Sequence, residues 1–234
     1  MKGGGNRGAV CVPVVVAVTL TLVACSGGSP ATSGSTPPQQ TPPTTTASAS
    51  AQAKTFAASD LPKIVLQASD VTGLGVSASG FGRAIAKPAD FLIDPTTGGP
   101  AQESVRKVTD AGFQSGYFSG AFHGPTWPSN TKGKVTSVGS DALLFADPTG
   151  ASAGLAALVD YERSQGGTYQ TLQAPGLGEE SQGLAQLTSQ QAFYYYGWRV
   201  GNSVFEIRIF AGSGSIDQAG ALALAEKMDA RASG

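Results

Sequence analysis

The strongest constraint on the fold is a pair of β-rich runs that flank one short turn near the C-terminus. The runs cover residues 193–200 and 203–210, and the dipeptide Gly201-Asn202 separates them. Because Gly and Asn both tolerate a positive φ, this dipeptide favours a two-residue hairpin turn. The sequence therefore predicts an antiparallel hairpin over residues 193–210.

The alternation of side chains in the two runs indicates which of them share a face. One face carries four cross-strand pairs: Val200 with Ser203, Trp198 with Phe205, Tyr196 with Ile207, and Tyr194 with Ile209. The other face has a mixed composition and is expected to be half solvated: Phe193, Tyr195, Gly197, Arg199, Val204, Glu206, Arg208 and Phe210. A shift of one residue would expose Trp198 and Ile207 to water, so the pattern specifies its own register.

Hydrophobic periodicity and turn residues predict the remaining elements. The predicted helices are a short one from 61 to about 68, then 101–111, 151–164, and a last one that begins at the capping box 215–218. The predicted strands outside the hairpin are 72–86, 113–123 and 135–145. Together they predict an α+β fold, an antiparallel sheet of about five to seven strands with helices packed mainly on one face.

Residues 1–24 have the order of features that is typical of an export signal. Lys2 and Arg7 precede the uncharged run 9–24, which Pro13 interrupts. This run is shorter than the roughly 20 apolar residues that a spanning helix needs, so cleavage is favoured over an uncleaved anchor. Removal of the segment leaves 13 basic and 16 acidic side chains, a formal charge of −3.

The run ends at Leu22-Val23-Ala24-Cys25, which resembles the lipobox of bacterial lipoproteins. The resemblance implies cleavage before Cys25, thioether lipidation of its thiol, and acylation of the new amino terminus, with palmitate as a typical chain. Two acyl chains hold a protein stably on a membrane where a single chain is marginal. Cys25 is therefore the candidate lipidation site, and the predicted location is the extracytoplasmic face of the cell membrane.

The lipidated cysteine is followed by a segment that cannot form a core. Residues 25–54 consist almost entirely of Ser, Gly, Pro, Ala, Thr and Gln, and this composition predicts a disordered tether. Residues 55–234 have the length of one globular extracytoplasmic domain. Since Cys11 leaves with the signal and Cys25 carries lipid, the domain has neither a thiol nor a disulfide.

Composition excludes several function classes. Only 13% of residues are charged, and no clustered basic segment is present that could bind nucleic acid. One His and two Cys are too few soft ligands for a structural zinc site or an iron–sulfur cluster. The sequence therefore predicts no cofactor, no metal and no nucleic-acid partner.

Catalytic motifs are weak throughout the chain. His123 is the one imidazole, and it lies in a loop-like stretch shared with Trp127. Ser104 and Ser129 each begin a Ser-x-x-Lys match, but the companion motifs of penicillin-recognising enzymes are absent. No Gly-x-Ser-x-Gly elbow occurs either, so we predict no catalytic residue and a non-enzymatic role.

Aromatic side chains are the remaining candidates for function. They either form the core of the sheet or border a cavity between the helices and the sheet, where an acyl chain or a small apolar ligand would bind. The candidate ligand-binding residues are Trp198, Tyr196, Tyr194, Phe205, Trp127 and His123. Both interpretations remain open at this stage.

With its lipobox, its Ser/Thr/Pro-rich tether and one cysteine-free domain, the whole chain resembles actinobacterial, mycobacterial-type surface lipoproteins of uncharacterised function. The domain resembles, more loosely, PsbP-like and kinase-sensor α+β domains. The resemblance implies a binding or accessory role in the cell envelope, and the alternatives are a carrier of lipid or a small apolar ligand and an envelope hydrolase. The expected partners are the membrane through the anchor, and an envelope lipid or another envelope protein; the oligomeric state stays open.

Overall fold

The computed structural model describes residues 54–76, 82–122, 133–173 and 176–234. The signal 1–24, Cys25, the tether up to residue 53, His123 and Trp127 lie outside the described residues. In the described ranges, every helix is too short or too polar to cross a membrane.

The described domain contains one sheet of seven strands, and every pairing in it is antiparallel. In chain order the strands are β1 Arg83–Ile85, β2 Phe113–Phe122, β3 Val135–Phe145, β4 Gln170–Leu172, β5 Glu180–Leu187, β6 Gln191–Val200 and β7 Ser203–Gly212. Their order across the sheet is β1-β2-β3-β7-β6-β5-β4. Two meanders, β1 to β3 and β4 to β7, therefore meet at the centre through the β3–β7 pair.

Within the described ranges, four α-helices pack against this sheet, which confirms the predicted α+β class. They are α1 Leu61–Ile64, α2 Gln102–Asp110, α3 Pro148–Ser164 and α4 Gln218–Ser233, and two 3-10 helices cover Ala68–Val71 and Pro88–Asp90. Asp147 caps α3 and Asp217 caps α4, each by accepting a hydrogen bond from the backbone N–H three residues later. Both caps satisfy amide groups that the first helical turn leaves free.

The predicted hairpin is confirmed in its position and in its register. Trp198 pairs with Phe205, Tyr196 with Ile207, and the turn lies at Gly201-Asn202. Gly201 has a φ of 57°, the left-handed conformation that the turn requires. The side-chain alternation therefore identified the correct face for each residue of the two central strands.

Two expectations about the faces of the sheet are wrong. Helices α1 and α4 cover one face, while α2 and α3 cover the other, so the helices are not mainly on one face. The mixed face of the hairpin is also not half solvated, because α3 packs over it and its central charged residues, Glu206 and Arg208, are paired inside. We call the face under α1 and α4 the apolar face, and the face under α2 and α3 the ionic face.

The other differences from the predicted elements are local. In the described ranges, the strand expected over 72–86 is present at Arg83–Ile85, and Gly73 and Gly75 lie in turns with positive φ instead. Residues 77–81 of the expected strand lie outside the described residues. The first helix ends at Ile64, and the last begins at Gln218 rather than at Ser215. Strands β4 and β5 were not predicted, since their segment is rich in Gly and Gln.

Candidate functional site

The aromatic residues proposed as ligand-binding from the sequence lie in the core of the apolar face. Trp198 and Phe205 are fully buried with ring centroids 5.9 Å apart, and Phe56 packs edge-on against Phe205 at 5.5 Å. Tyr194 and Tyr196 are buried beside them under α4. The cavity described below is lined by other side chains, so ligand binding by this group stays a prediction.

The polar groups of these aromatic side chains differ in whether they form hydrogen bonds. The Tyr196 hydroxyl donates to the carbonyl of Gln218 at 3.4 Å, and burial together with the neighbouring Tyr194 raises the pKa of Tyr196 to about 12. The Trp198 indole nitrogen has no hydrogen-bond partner at normal geometry, although it lies near the Asp229 carboxylate. The apolar face is thus stabilised by packing far more than by polar contacts.

A cluster of charged side chains lies at the centre of the ionic face. Arg208 on β7 binds Asp141 on β3 at 2.5 Å, Glu162 on α3 at 2.5 Å and Glu206 on its own strand at 3.1 Å. The Tyr195 hydroxyl on β6 donates to Glu206 at 2.5 Å. This ionic cluster therefore joins three adjacent central strands to the helix that covers them.

The ionic cluster holds three carboxyl groups for one guanidinium. The carboxyl side chains are 0 to 4% exposed and that of Arg208 is 18% exposed. Burial raises the pKa of Asp141 to about 7 and also raises that of Glu162, and the Arg208 charge opposes both shifts only in part. One oxygen of Asp141 has no hydrogen-bond partner. We therefore expect the cluster to retain a proton on Asp141 up to neutral pH.

At one end of the sheet, the chain enters the domain across the β6–β7 turn. The Phe56 N–H donates to Asn202 Oδ1 at 2.8 Å, and Asn202 Nδ2 donates to the carbonyls of Phe56 and Phe145. A Cβ atom added to Gly201 would lie 1.6 Å from the Lys54 carbonyl oxygen, so the entering segment is pressed directly on the turn. We call this the entry end of the sheet.

The entry end carries a second group of ion pairs. Arg199 binds Glu179 at 2.6 Å and Glu180 at 3.0 Å, and Glu179 also accepts the Gly201 N–H at 2.9 Å. The contacts of these two glutamates fix the β6–β7 turn that the entering chain crosses.

A small cavity lies at the opposite end of the sheet, which we call the far end. Its volume is about 80 Å³, and its walls come from the ends of β3, β5, β6 and β7: Thr136, Gln186, Thr188, Gln191, Ala192, Phe193, Phe210 and Ala211. The Phe193 and Phe210 ring centroids are 4.6 Å apart, and Tyr169 packs on Phe193 at 6.0 Å. Strands β6 and β7 run from the entry end to the far cavity, and each has ten residues. With a rise of about 3.4 Å per residue, the two ends are roughly 30 Å apart.

The far cavity combines aromatic walls with neutral polar groups. The Thr136 hydroxyl donates to the Phe210 carbonyl at 2.8 Å, and the Thr188 hydroxyl caps the β5–β6 turn by accepting the Gln191 N–H at 2.9 Å. In the part of the chain that the structure describes, the side-chain amides of Gln186 and Gln191 form no hydrogen bond. The cavity therefore presents amide donors and acceptors next to apolar rings.

No local sequence pattern points to the far cavity. Phe193 and Phe210 form the outermost pair on the mixed face of the predicted hairpin, and this pairing is the one sequence signal for it. The other contributing residues lie on separate strands, and only the fold brings them together.

No protein-family model and no curated protein matches the sequence. Among solved structures, the fold is similar to the extracellular domain of PknH from Mycobacterium tuberculosis, with a TM-score of 0.49 and 10% sequence identity. The likeness covers 77% of this chain and 98% of that domain.

Proposed function

We propose that this chain is a lipid-anchored extracytoplasmic domain with a non-enzymatic binding role in the cell envelope. The observation that carries the proposal is the opposite placement of the entry end and the far cavity on one sheet. A tether that begins at a lipidated Cys25 and reaches Lys54 attaches at the entry end. It leaves the far cavity, with its aromatic walls and unbonded amides, at the opposite end of the strands.

The contacts at the entry end support this arrangement. Phe56 is held by Asn202 through its backbone and by Phe205 through its ring, and the Lys54 ammonium lies 5.4 Å from the centre of the Phe56 ring. Ordered packing therefore begins within two residues of the predicted tether. These contacts fix the point at which the tether joins the domain, and that point lies at the end of the sheet opposite the far cavity.

Lipidation is tested on the full-length chain expressed in a bacterium that processes lipoproteins. We expect an intact mass that corresponds to cleavage before Cys25 plus a diacylglyceryl group and an amide-linked acyl chain. Cys25→Ala should remain unprocessed, and protease added to whole cells should degrade the wild-type domain. An unmodified Cys25, or a domain protected from external protease, would refute the proposal.

The volume of the far cavity separates a binding module from a lipid carrier. Pockets that enclose a whole small molecule have volumes of about 300 to 1,000 Å³, several times the 80 Å³ found here. The far cavity is therefore too small for a whole lipid, and the larger clefts of the described residues are open surface grooves. We expect native mass spectrometry of the full-length protein to show the covalent lipid alone. A further lipid mass that disappears on denaturation would favour the carrier and assign the ligand to another part of the chain.

A further inference from the structure

We propose that the far cavity binds the N-acetyl group of a neutral amino sugar within a glycan. The inference rests on the proposed function, because a domain at the cell surface meets glycans built from such sugars. It names the ligand of the cavity, which the proposed function leaves open.

The size of the cavity selects a group of a few atoms. An apolar cavity of about 150 Å³ in another protein holds benzene, which has six non-hydrogen atoms. By proportion, 80 Å³ accommodates about three or four such atoms. An acetamido group has four: its methyl carbon, its carbonyl carbon and oxygen, and its nitrogen.

The chemistry of the walls matches the parts of an acetamido group. The rings of Phe193 and Phe210, whose centroids are 4.6 Å apart, form an apolar wall for the acetyl methyl. The unbonded amides of Gln186 and Gln191 each supply a donor and an acceptor, which complement the carbonyl and the N–H of the ligand.

Charge also distinguishes an acetylated sugar from a deacetylated one. None of the eight described residues that line the cavity is ionisable. A deacetylated sugar carries an ammonium group, and a charge that enters this cavity would lose its hydration without gaining a partner. The cavity therefore favours the neutral, acetylated form.

The surroundings of the cavity favour a sugar over an acetylated lysine side chain. The turn next to it consists of the exposed residues Thr188, Ser189 and Gln190, which suit the hydroxyl groups of a sugar ring. An acetyl-lysine would lay its four methylene groups on this polar turn, where they would bury little apolar surface.

The binding test uses the full-length lipidated protein in nanodiscs and saturation-transfer NMR, with tri-N-acetylchitotriose as the probe. We expect saturable binding with a millimolar Kd and the strongest transfer at the acetyl methyl protons. Deacetylated chitotriose should show no transfer under the same conditions. Equal binding of the two trisaccharides, or no binding of the acetylated one, would overturn the inference.

Two matched variants locate the site. Gln186→Ala should weaken binding of tri-N-acetylchitotriose about five-fold, the effect of one neutral hydrogen bond. Gln182→Ala changes the same residue type on the same strand and face but outside the cavity, and it should bind like the wild type. Equal losses in both variants would place the binding elsewhere. Both positions are partly or fully exposed, so circular dichroism should show an unchanged fold.

The same titration with an acetyl-lysine peptide compares a protein ligand with the sugar ligand. Tighter binding of the peptide than of the trisaccharide would overturn the inference in favour of a protein partner. If the correctly lipidated, surface-exposed protein does not bind tri-N-acetylchitotriose, the inference alone is refuted. An unmodified Cys25 would refute the proposed function whatever the sugar result.

Discussion

The two faces of the central sheet are equally buried but are stabilised in different ways. On the apolar face, Trp198, Tyr196 and Phe205 pack under α4 as a continuous hydrophobic cluster. On the ionic face, the same two strands present Arg208, Glu206 and Tyr195 to α3, and every one of them is engaged by another polar side chain. Neighbouring residues of one hairpin therefore experience opposite environments.

The stability of each face therefore depends on different interactions. The apolar face depends on buried area and packing, which change little with pH. The ionic face depends on a balance between the loss of hydration of its charges and their mutual attraction. Because carboxyl groups outnumber the guanidinium three to one, that balance includes a bound proton, and the stability of this face responds to pH.

Removal of Arg208, the cation of the ionic cluster, should have the largest effect. Arg208→Met leaves three buried carboxyl groups without a counter-charge, and we expect a loss of about 5 kcal/mol in the free energy of unfolding at pH 8. The loss should be smaller at pH 5, where the carboxyl groups take up protons. Urea unfolding at both pH values measures this, and the exposed Arg163→Met on α3 serves as the control, with a change within about 0.5 kcal/mol.

A cavity on the apolar face should cost slightly less and show no dependence on pH. Trp198→Ala removes a fully buried indole, so the free energy of unfolding should fall by about 4 kcal/mol at pH 5 and at pH 8 alike. Leu187→Ala, at a half-exposed position, should change it by about 0.5 kcal/mol or less. A marked difference between the two pH values would mean that the loss reaches an ionisable group, either Asp229 beside the indole or the ionic cluster on the other face.

The proton on Asp141 makes the stability of the folded state depend on pH. The pKa of Asp141 is about 7 in the folded protein and about 3.9 in an unfolded chain, so the folded state binds this proton more tightly. The resulting stabilisation is complete below about pH 4 and is lost as the pH rises through 7.

Asp141→Asn keeps a neutral side chain at every pH and should remove that dependence. Relative to this variant, the wild type should lose about 3 kcal/mol of stability between pH 5 and pH 8, as followed by thermal and urea unfolding. Asp110→Asn on the surface of α2 should leave the wild-type dependence intact. A parallel pH profile for wild type and Asp141→Asn would contradict a protonated Asp141.

The smallest expected effect concerns a polar contact that holds a ring on the apolar face. Asn202→Ala leaves the Phe56 N–H without its acceptor and loosens Phe56 from Phe205, so the free energy of unfolding should fall by about 1.5 kcal/mol. The fall should be equal at pH 5 and pH 8, because no ionisable group is involved. Gln190→Ala, in the turn at the far end, should be neutral in the same assay.

The local spacing of apolar residues was sufficient to predict the strands and the helix in which this spacing is regular. The register of β6 and β7 followed from one turn dipeptide and from side-chain alternation, because a slip would have exposed Trp198. Strand β3 and the body of α3 were likewise predicted from periodicity. These elements carry their own signals within about fifteen residues.

The ionic cluster and the far cavity lack such local signals. Arg208 binds Asp141 from 67 residues away and Glu162 from 46 residues away, so its burial could not be inferred from neighbours in the sequence. The alternation of polar and apolar residues predicted solvent on that face, since charged residues are rarely buried unless they are paired. The residues of the far cavity come from four strand ends and become neighbours only in the finished sheet.

The strand order has a consequence for the route by which the domain folds. Strands β3 and β7 lie side by side at the centre, although Leu144 and its partner Ser203 are far apart in sequence. When the chain emerges with its N-terminus first, strands β1 to β3 are complete long before β7, which pairs with the open edge of β3, is available. Until residue 212 has followed, β3 and β6 both present open edges. Assembly is consequently a late event that a truncation before β7 would prevent, whichever half of the sheet had already formed.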